Sequence, residues 1–477
     1  MPDAKQTVRD TARYLRNVRP LSPEEIAEYV EGGAHPAVVS QYLRELAVDL
    51  SLVERDDGTF VPAPERALEP TFEGVDALPE AWSRELEDAL VEHHGADWHR
   101  GESGANIEGH IRKLKRDYFR QADVTYDADA AEAYAVYHLP NYYAVGSYVI
   151  DELGSDGLLP ATLRVLDIGA GVGGPALALH DYYFGAPGED GGDAGDDPPL
   201  VEYTAVEPSA SADVLERFLE HTDRNFHADV ERTTVEAFEP EAEYDLVLFG
   251  SVLSELSDPE EQAARALEWV AEDGTLGLIA PADLETSTGL REVERELADE
   301  RGVASVYAPT VRLWADERPT DRGWSFDERP ALQTPPFQER LAAASDNPEE
   351  MTNTTVKFSH SLLRPDGTRR HDIALDESVV AKLAHAQRHV GSRVDFVLAK
   401  LSQNLADPDA NPLFKVSDGS ESTECYAVLV EESALNEALA AADYGDLLSL
   451  ESALVLWNDD EEAYNLVVDE ETLVDAV

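Results

Sequence analysis

Apolar residues recur along this chain at two spacings, and the change between them marks out its parts. Through residues 8–46 they return every three or four positions, as one face of a helix does. This predicts a helix over Val8–Val18. A second opens at Ser22-Pro-Glu-Glu, where a capping serine precedes a proline and two acids, and runs to Val30. A third covers His35–Leu46. Leu52–Val61 then alternates around Asp57-Gly58, the signature of a hairpin. Three helices and a hairpin predict a winged-helix-like module over 1–66. Residues 67–159 keep the helical spacing and carry many aromatics. From 160 to 393, short apolar runs alternate with helical stretches, which predicts an α/β domain on a mostly parallel sheet. Over 394–477, five short strands and a helix near 433–442 predict an OB-like barrel.

One junction carries chemistry. Leu163-Arg-Val-Leu-Asp167 reads as a strand, and glycines follow at 169, 171, 173 and 174 before Pro175–His180 opens a helix. Glycine lets the backbone turn sharply and come close to a ligand, and a helix N-terminus behind such a turn makes a nucleotide-type cradle. NAD sites place a ribose-binding acid about 20 residues further on. Here the next strand-terminal acid is Glu207, in Val-Glu-Pro-Ser, 40 residues after Asp167. Part of that gap is a Gly/Asp/Pro tract at 185–198, composed like a solvated loop. An acid at the end of each of the first two strands is the pattern of class I methyltransferases. The expected cofactor is therefore S-adenosylmethionine, with Asp167, Gly169, Gly171 and Gly173 at its methionine part and Glu207 on its ribose. Tyr142, Gly250 and Ser251 complete the expected cofactor set.

Composition changes the picture in two ways. The net charge is −61, from 98 acidic and 37 basic residues, yet 43% of residues are hydrophobic and patterned. That excludes an acidic disordered chain and fits a surface kept hydrated in molar salt. In such salt, counterion release contributes little, so the charge does not exclude nucleic acid as a partner. The single cysteine, Cys425, excludes an intrachain disulfide and any multi-cysteine metal site. His93, His94 and His99 lack the spacing of a metal site. No signal peptide or membrane span is visible, so the expectation is a soluble, cytoplasmic chain without a membrane partner.

Two basic stretches stand out against this background. Arg112, Lys113, Lys115, Arg116 and Arg120 form the densest cluster, and Arg369 and Arg370 follow a late strand. They are candidates for RNA phosphate, with a salt-bridged helix face as the plainer alternative. The third helix of the winged module and barrel aromatics Phe414, Tyr426 and Trp457 are further candidates for nucleic-acid contact, or for protein contact and core packing respectively. The stretch from Tyr307 to Pro336, rich in Pro, Trp and Arg, reads as a long loop over the mouth of the site, ordered by Trp314, Trp324 and Phe326.

Over about 115–400 the chain resembles the small-ribosomal-subunit methyltransferase-like proteins of bacteria and mitochondria. The resemblance rests on Leu139-Pro-Asn-Tyr-Tyr143, Val165-Leu-Asp-Ile-Gly-Ala-Gly171, Val206-Glu-Pro-Ser209, Val252-Leu-Ser-Glu-Leu256 and Phe358-Ser-His-Ser-Leu-Leu-Arg364. It implies S-adenosylmethionine as cofactor and the small subunit, or its rRNA, as partner. Many relatives hold an iron–sulfur cluster after the fifth strand, but Ala308-Pro-Thr310 and Trp324-Ser-Phe326 contain no cysteine, so the cluster is not inherited. The Asn/Asp-Pro-Pro-aromatic segment that bonds a target amine is also missing; Phe249-Gly-Ser-Val252 stands there. Ser251, Ser254, His138 and His360 are the remaining candidates for catalysis. The leading expectation is an S-adenosylmethionine-dependent methyltransferase acting on small-subunit rRNA or its assembly intermediate. The alternative is a non-catalytic assembly factor that holds the cofactor structurally.

Overall fold

The computed structural model describes residues 4–30, 33–69, 71–120, 125–187, 197–315 and 317–477. Most of the Gly/Asp/Pro tract, 188–196, lies outside the described residues. The chain divides into two compact units, Met1–Leu246 with Pro330–Val356 and Val247–Arg329 with Lys357–Val477.

The first unit begins with the winged-helix module. Helices Ala4–Leu15, Pro23–Tyr29 and Pro36–Glu45 close over Val8, Ile26, Val39, Leu43 and Phe60, and the hairpin Leu52–Glu54/Phe60–Pro62 forms the wing. Ser22 occupies the predicted cap position, but its hydroxyl donates to Glu24 and accepts no bond from the helix backbone N–H groups. The wing is docked. The Glu54 N–H donates to Asn225 Oδ1 at 2.7 Å, Asn225 Nδ2 returns a bond to the Glu54 carbonyl at 3.0 Å, and Val53 and Val61 pack on Leu200.

Three helices follow, Glu80–His94, Gly101–Phe119 and Ala128–Ser155. The last runs through Pro140. Proline has no N–H, so the carbonyl four residues earlier loses its helical partner. That carbonyl belongs to Val136, and buried Gln338 fills the gap through its amide Nε2 at 2.8 Å. Gln338 Oε1 accepts in turn from the Asn353 N–H.

Strands β1 (Thr162–Ile168), β2 (Leu200–Val206) and β3 (Phe226–Glu231) pair in parallel in the order 3-2-1, and β4 (Tyr244–Gly250) begins beside β1. In the second unit, β4 is followed by β5 (Val270–Pro281), β6 (Ser305–Ala308) and β7 (Val356–Arg364) in the order 4-5-7-6. β7 is antiparallel to both of its neighbours. This is the strand order of a class I methyltransferase sheet.

The barrel closes in the second unit. Arg393–Lys400, Leu413–Ser417, Cys425–Leu429, Leu447–Asn458 and Ala463–Val468 form a ring in the order 1-2-3-5-4-1, with the third and fifth parallel. Helix Glu437–Ala441 lies between the third and fourth strands, as in OB folds. Full closure leaves this ring without an open edge, and Phe396, Phe414, Val416, Leu448, Val455 and Leu466 fill it. Within the Tyr307–Pro336 stretch, the part around Trp314 is ordered by this barrel. Leu313 and Trp314 pack with Leu401 and Leu447, and Trp314 Nε1 donates to Asp418 Oδ2 at 2.7 Å. Trp324 Nε1 donates to the Ala282 carbonyl at 3.1 Å, with Phe326 5.6 Å from its ring.

Candidate functional site: the glycine turn and its aromatic helix

Asp167 ends β1 and is fully buried. Its Oδ2 accepts from the Tyr203 hydroxyl at 2.6 Å, while Oδ1 has no partner among the described residues. Burial pushes the carboxyl up to about 7, with Glu207 adding to the rise and the Tyr203 bond opposing it. Tyr203 is a partner of Asp167 that pattern reading missed. It stands four positions before Glu207, which for a strand is the same face.

Beyond Asp167 the backbone turns at Gly169 (φ +68°), Gly171 (φ +55°) and Gly173 (φ +94°). Other side chains are excluded by conformation there, and at 173 and 174 also by space. A Cβ at Gly173 would lie 2.7 Å from Leu215, and one at Gly174 2.6 Å from the Cβ of Tyr142. A Cβ at Gly171 would meet nothing nearer than 3.9 Å, so that position borders open space. The turn is tied to β2. Gly169 N–H donates to the Val206 carbonyl at 2.8 Å, and Gly171 N–H to Glu207 Oε2 at 2.9 Å. Glu207 Oε1 accepts from the Ser209 N–H at 2.9 Å. A carboxylate offers about four lone-pair directions, so Glu207 keeps capacity for further donors such as ribose hydroxyls.

Helix Ala128–Ser155 brings Tyr142 to this turn and with it a set of rings. Tyr134, His138 and Tyr142 fall at i, i+4 and i+8. Their centroids lie 4.7 Å (134–138), 5.4 Å (138–142) and 5.9 Å (134–142) apart, with planes tilted by 36°, 19° and 29°. Tyr126 stands edge-on to Tyr134 at 5.4 Å, and its carbonyl accepts from the Ala210 N–H, three residues past Glu207. Burial, with the Lys115 charge second, pushes His138 down to about 3, so the ring is neutral at ordinary pH and a weak base.

The remaining candidates lie in the second unit. Gly250 ends β4, and Ser251 follows in a left-handed conformation (φ +62°) with its N–H on the Ile279 carbonyl at 2.9 Å. Ser254 sits exposed in the short 3₁₀ turn Leu253–Glu255. His360, opposite Ile279 on β7, is buried with Tyr444 and Phe358 rings 5.5 and 5.7 Å away.

The basic candidates are largely engaged. Arg112 pairs with Glu350 at 2.7 Å and Glu108 at 2.9 Å, and Lys113 with Asp117 at 3.3 Å. Lys115 donates to the Glu350 carbonyl at 2.6 Å and lies 4.0 Å over the Tyr137 ring. Arg116 is 3.8 Å from Asp117, and Arg120 continues past the helix end. Arg369 donates to the Arg312 carbonyl, and the Arg370 N–H to the Tyr307 carbonyl at 3.4 Å. The salt-bridged face is thus the arrangement found. Phe414 belongs to the barrel core, Tyr426 bonds Glu424, and Trp457 alone of the three barrel aromatics is well exposed. His93 and His94 both bond the Glu132 carboxylate. Among the described residues no group of three or more His, Cys, Asp or Glu is arranged to hold a metal. No described helix is long and apolar enough to cross a membrane.

Two family models match the chain. One, described as a domain of unknown function (DUF8157) N-terminal domain, covers 5–56, and the other, its C-terminal domain, covers 384–477. No curated protein matches. Solved structures similar to the chain include the sugar N-methyltransferase KedS8 from Streptoalloteichus, at 16% identity over 28% of this chain and 47% of that one, TM-score 0.22. The chain thus spans about half of that protein's length. The plantazolicin methyltransferase BpumL with S-adenosylhomocysteine is similar at 9% identity over 60% and 96%, TM-score 0.29. The mitomycin 7-O-methyltransferase MmcR is similar at 14% over 58% and 75%, TM-score 0.23. At such TM-scores these likenesses bear no weight, and the functional reading rests on the residues of the turn.

Proposed function

We propose that this chain is an S-adenosylmethionine-dependent methyltransferase. The observation that carries the reading is the buried, open oxygen of Asp167 beside a glycine turn whose own N–H holds Glu207. A buried carboxylate is costly unless something pairs with it. The amino group of the cofactor's methionine part is a partner of the right charge, and the donor set fits: Asp167 for the amino group, Glu207 for ribose, open space at Gly171. When bound, S-adenosylmethionine supplies a methyl group already activated on a sulfonium. The chain's own residues then bind and orient, and proximity does most of the catalytic work. His138 is held neutral, so it takes a proton poorly. That favours an acceptor that needs no strong base, and it also favours the second reading, a non-catalytic assembly factor that keeps the cofactor as a structural ligand. We propose small-subunit rRNA or its assembly intermediate as the acceptor, on the strength of the Val-Glu-Pro-Ser and Leu-Ser-Glu-Leu resemblance.

Calorimetry with S-adenosylmethionine in molar potassium chloride tests the cofactor. Saturable binding to the wild type, lost in Asp167→Ala, is expected; no binding by the wild type overturns the reading. Transfer of tritiated methyl to rRNA from a deletion strain then separates enzyme from scaffold.

A further inference from the structure

We propose that Tyr203 is a positioning residue of the cofactor site: its hydroxyl holds one oxygen of Asp167, so that the other alone is turned to the cofactor's amino group. This rests on the methyltransferase reading above.

Register brings the two side chains together. β1 and β2 run in parallel, with Asp167 opposite Ala205 and Val165 opposite Tyr203. Tyr203, Ala205 and Glu207 alternate onto one face. Asp167 therefore stands opposite a small residue, with a hydroxyl to one side of it along β2 and a carboxylate to the other. The Tyr203 hydroxyl reaches Asp167 Oδ2 at 2.6 Å, the length of a charge-assisted O–H···O− bond. The tyrosine is itself fixed. It is 1% exposed, and its ring lies 5.5 Å from that of Phe226 on β3, tilted by 30°. Burial first, and then the charge of Asp167, push its hydroxyl well above its ordinary value, so it remains a donor. Asp167 Oδ1 keeps no partner among the described residues. The last torsion of an aspartate is soft, so the bond at Oδ2 is what sets the direction of Oδ1.

The same bond bears on charge. Burial raises the Asp167 carboxyl, Glu207 adds to the rise, and the Tyr203 hydroxyl opposes both. The neighbouring elements supply no substitute for it. Residues 168–179, the turn and the start of its helix, include no titratable side chain. β4 has Tyr244 and Asp245 at its start, where Asp245 accepts from the Arg164 N–H at 2.7 Å. The helix Ala128–Ser155 lays Tyr142 on Gly174, and its His138 is neutral. His227, Asp229 and Glu231 belong to β3, one strand further away. Among these groups Tyr203 is the one that favours the charged carboxylate, the form that pairs with an ammonium group.

The test is calorimetry of S-adenosylhomocysteine, which carries the same amino group, with the full chain in molar potassium chloride at pH 6, 7.5 and 9. Tyr203→Phe removes only the hydroxyl. Without that donor the charged form of Asp167 is reached about one pH unit later or more. At pH 6 the variant should bind at least tenfold more weakly than the wild type, and the ratio should shrink as pH rises to 9. The amino group's own ionisation is common to both titrations and cancels in that ratio. In an Asp167→Asn background, the effect of Tyr203→Phe should no longer depend on pH. Loss by the same factor at every pH overturns the proposal, since Tyr203 then only packs; no loss at any pH overturns it equally. Should Tyr203→Phe not fold, the wild-type chain made with 3-fluorotyrosine, a stronger donor, takes its place. The pH at which affinity levels off should then move down, and an unmoved value overturns the proposal. Failure of the methyltransferase reading shows separately, as absent binding by the wild type, and it removes the role given to Tyr203 as well. Denaturant unfolding of the free chain reads the contact without any ligand. The fall in stability with rising pH, which ends near 7 in the wild type, should run about one unit further in Tyr203→Phe. An unchanged end point refutes the bond on which the proposal stands.

Discussion

Two buried carboxylates, one in each unit, are handled in opposite ways. In the second unit Glu294 is 2% exposed and both of its oxygens are used, one by Arg291 and the other by Arg312 at 2.8 Å. Burial alone would raise its pKa, but the two guanidinium groups overcome that and hold it down to about 2. In the first unit Asp167 has no cation beside it among the described residues, keeps one oxygen open, and is pushed up to about 7. A charge that serves the fold is paired within the fold. A charge left open inside it is waiting for something from outside. An open oxygen is not sufficient by itself. Glu421 has one too, but it faces a void of about 20 Å³, room for roughly one water, with Lys415 and Asp321 on its wall. What sets Asp167 apart is the glycine turn and the second carboxylate beside it.

The largest effect should come from breaking the paired case. Glu294→Leu leaves Arg291 as an uncompensated buried charge, while Arg312 keeps Asp299; stranding one buried charge typically costs about 3–5 kcal/mol. Denaturant unfolding in molar salt should show that loss, or no folded protein at all. A variant as stable as the wild type would mean that the network does not hold its unit together. Asp167→Asn should do the reverse. The Tyr203 hydroxyl keeps an acceptor, no cation is stranded, and stability at pH 8 should match or exceed the wild type. Cofactor affinity should nevertheless fall at least 100-fold, about 2.7 kcal/mol. If stability falls and affinity holds, the contrast between the two carboxylates is wrong.

Acidity sharpens the same contrast. Between the ordinary carboxylate value of 3.8 and the raised value near 7, folded Asp167 holds a proton that the unfolded chain has released. Folding stability therefore falls as pH rises through that window, and the Asp167→Asn variant should lose this part of the slope. Cofactor binding runs the other way. A cationic amino group beside Asp167 favours the charged form, so affinity should climb roughly tenfold per pH unit as pH rises toward 7 and level off above it. Calorimetry at pH 5.5, 6.5 and 7.5 reads this, and flat affinity would remove Asp167 from the amino group.

The two regions also differ in how far they were legible. The glycine turn, Asp167 and Glu207 could be read because a strand end, a sharp turn and a helix start each constrain residue type over a few adjacent positions. Tyr142 could be placed in the expected cofactor set, but its close contact with Gly174 was not legible, because close packing between segments leaves no periodic trace. The cluster around Glu294 was not foreseen. Its members, from Arg291 to Tyr444, are polar residues scattered over more than a hundred positions, and each alone reads as surface. The same limit left the basic helix open between its two readings. Arg112 and Lys115 have the spacing of a phosphate-binding face, but Glu350, which takes both, lies more than 230 residues away.

That pairing gives the smallest and sharpest prediction. The Arg112 side chain is 38% exposed and bonded to two carboxylates, Glu108 and Glu350. An exposed pair contributes about 0–1 kcal/mol, and less in molar salt. Arg112→Gln should therefore change stability by less than about 1 kcal/mol. If the guanidinium serves only Glu108 and Glu350, the variant's affinity for a small-subunit rRNA fragment should be unchanged at every salt concentration. If it leaves those partners to meet a phosphate, the slope of log affinity against log salt should fall by about 1. The second result would mean that ion pairs in this acidic chain are a resting arrangement, exchanged for RNA on binding. The first would take Arg112 out of any RNA contact and leave recognition to the chain's other groups.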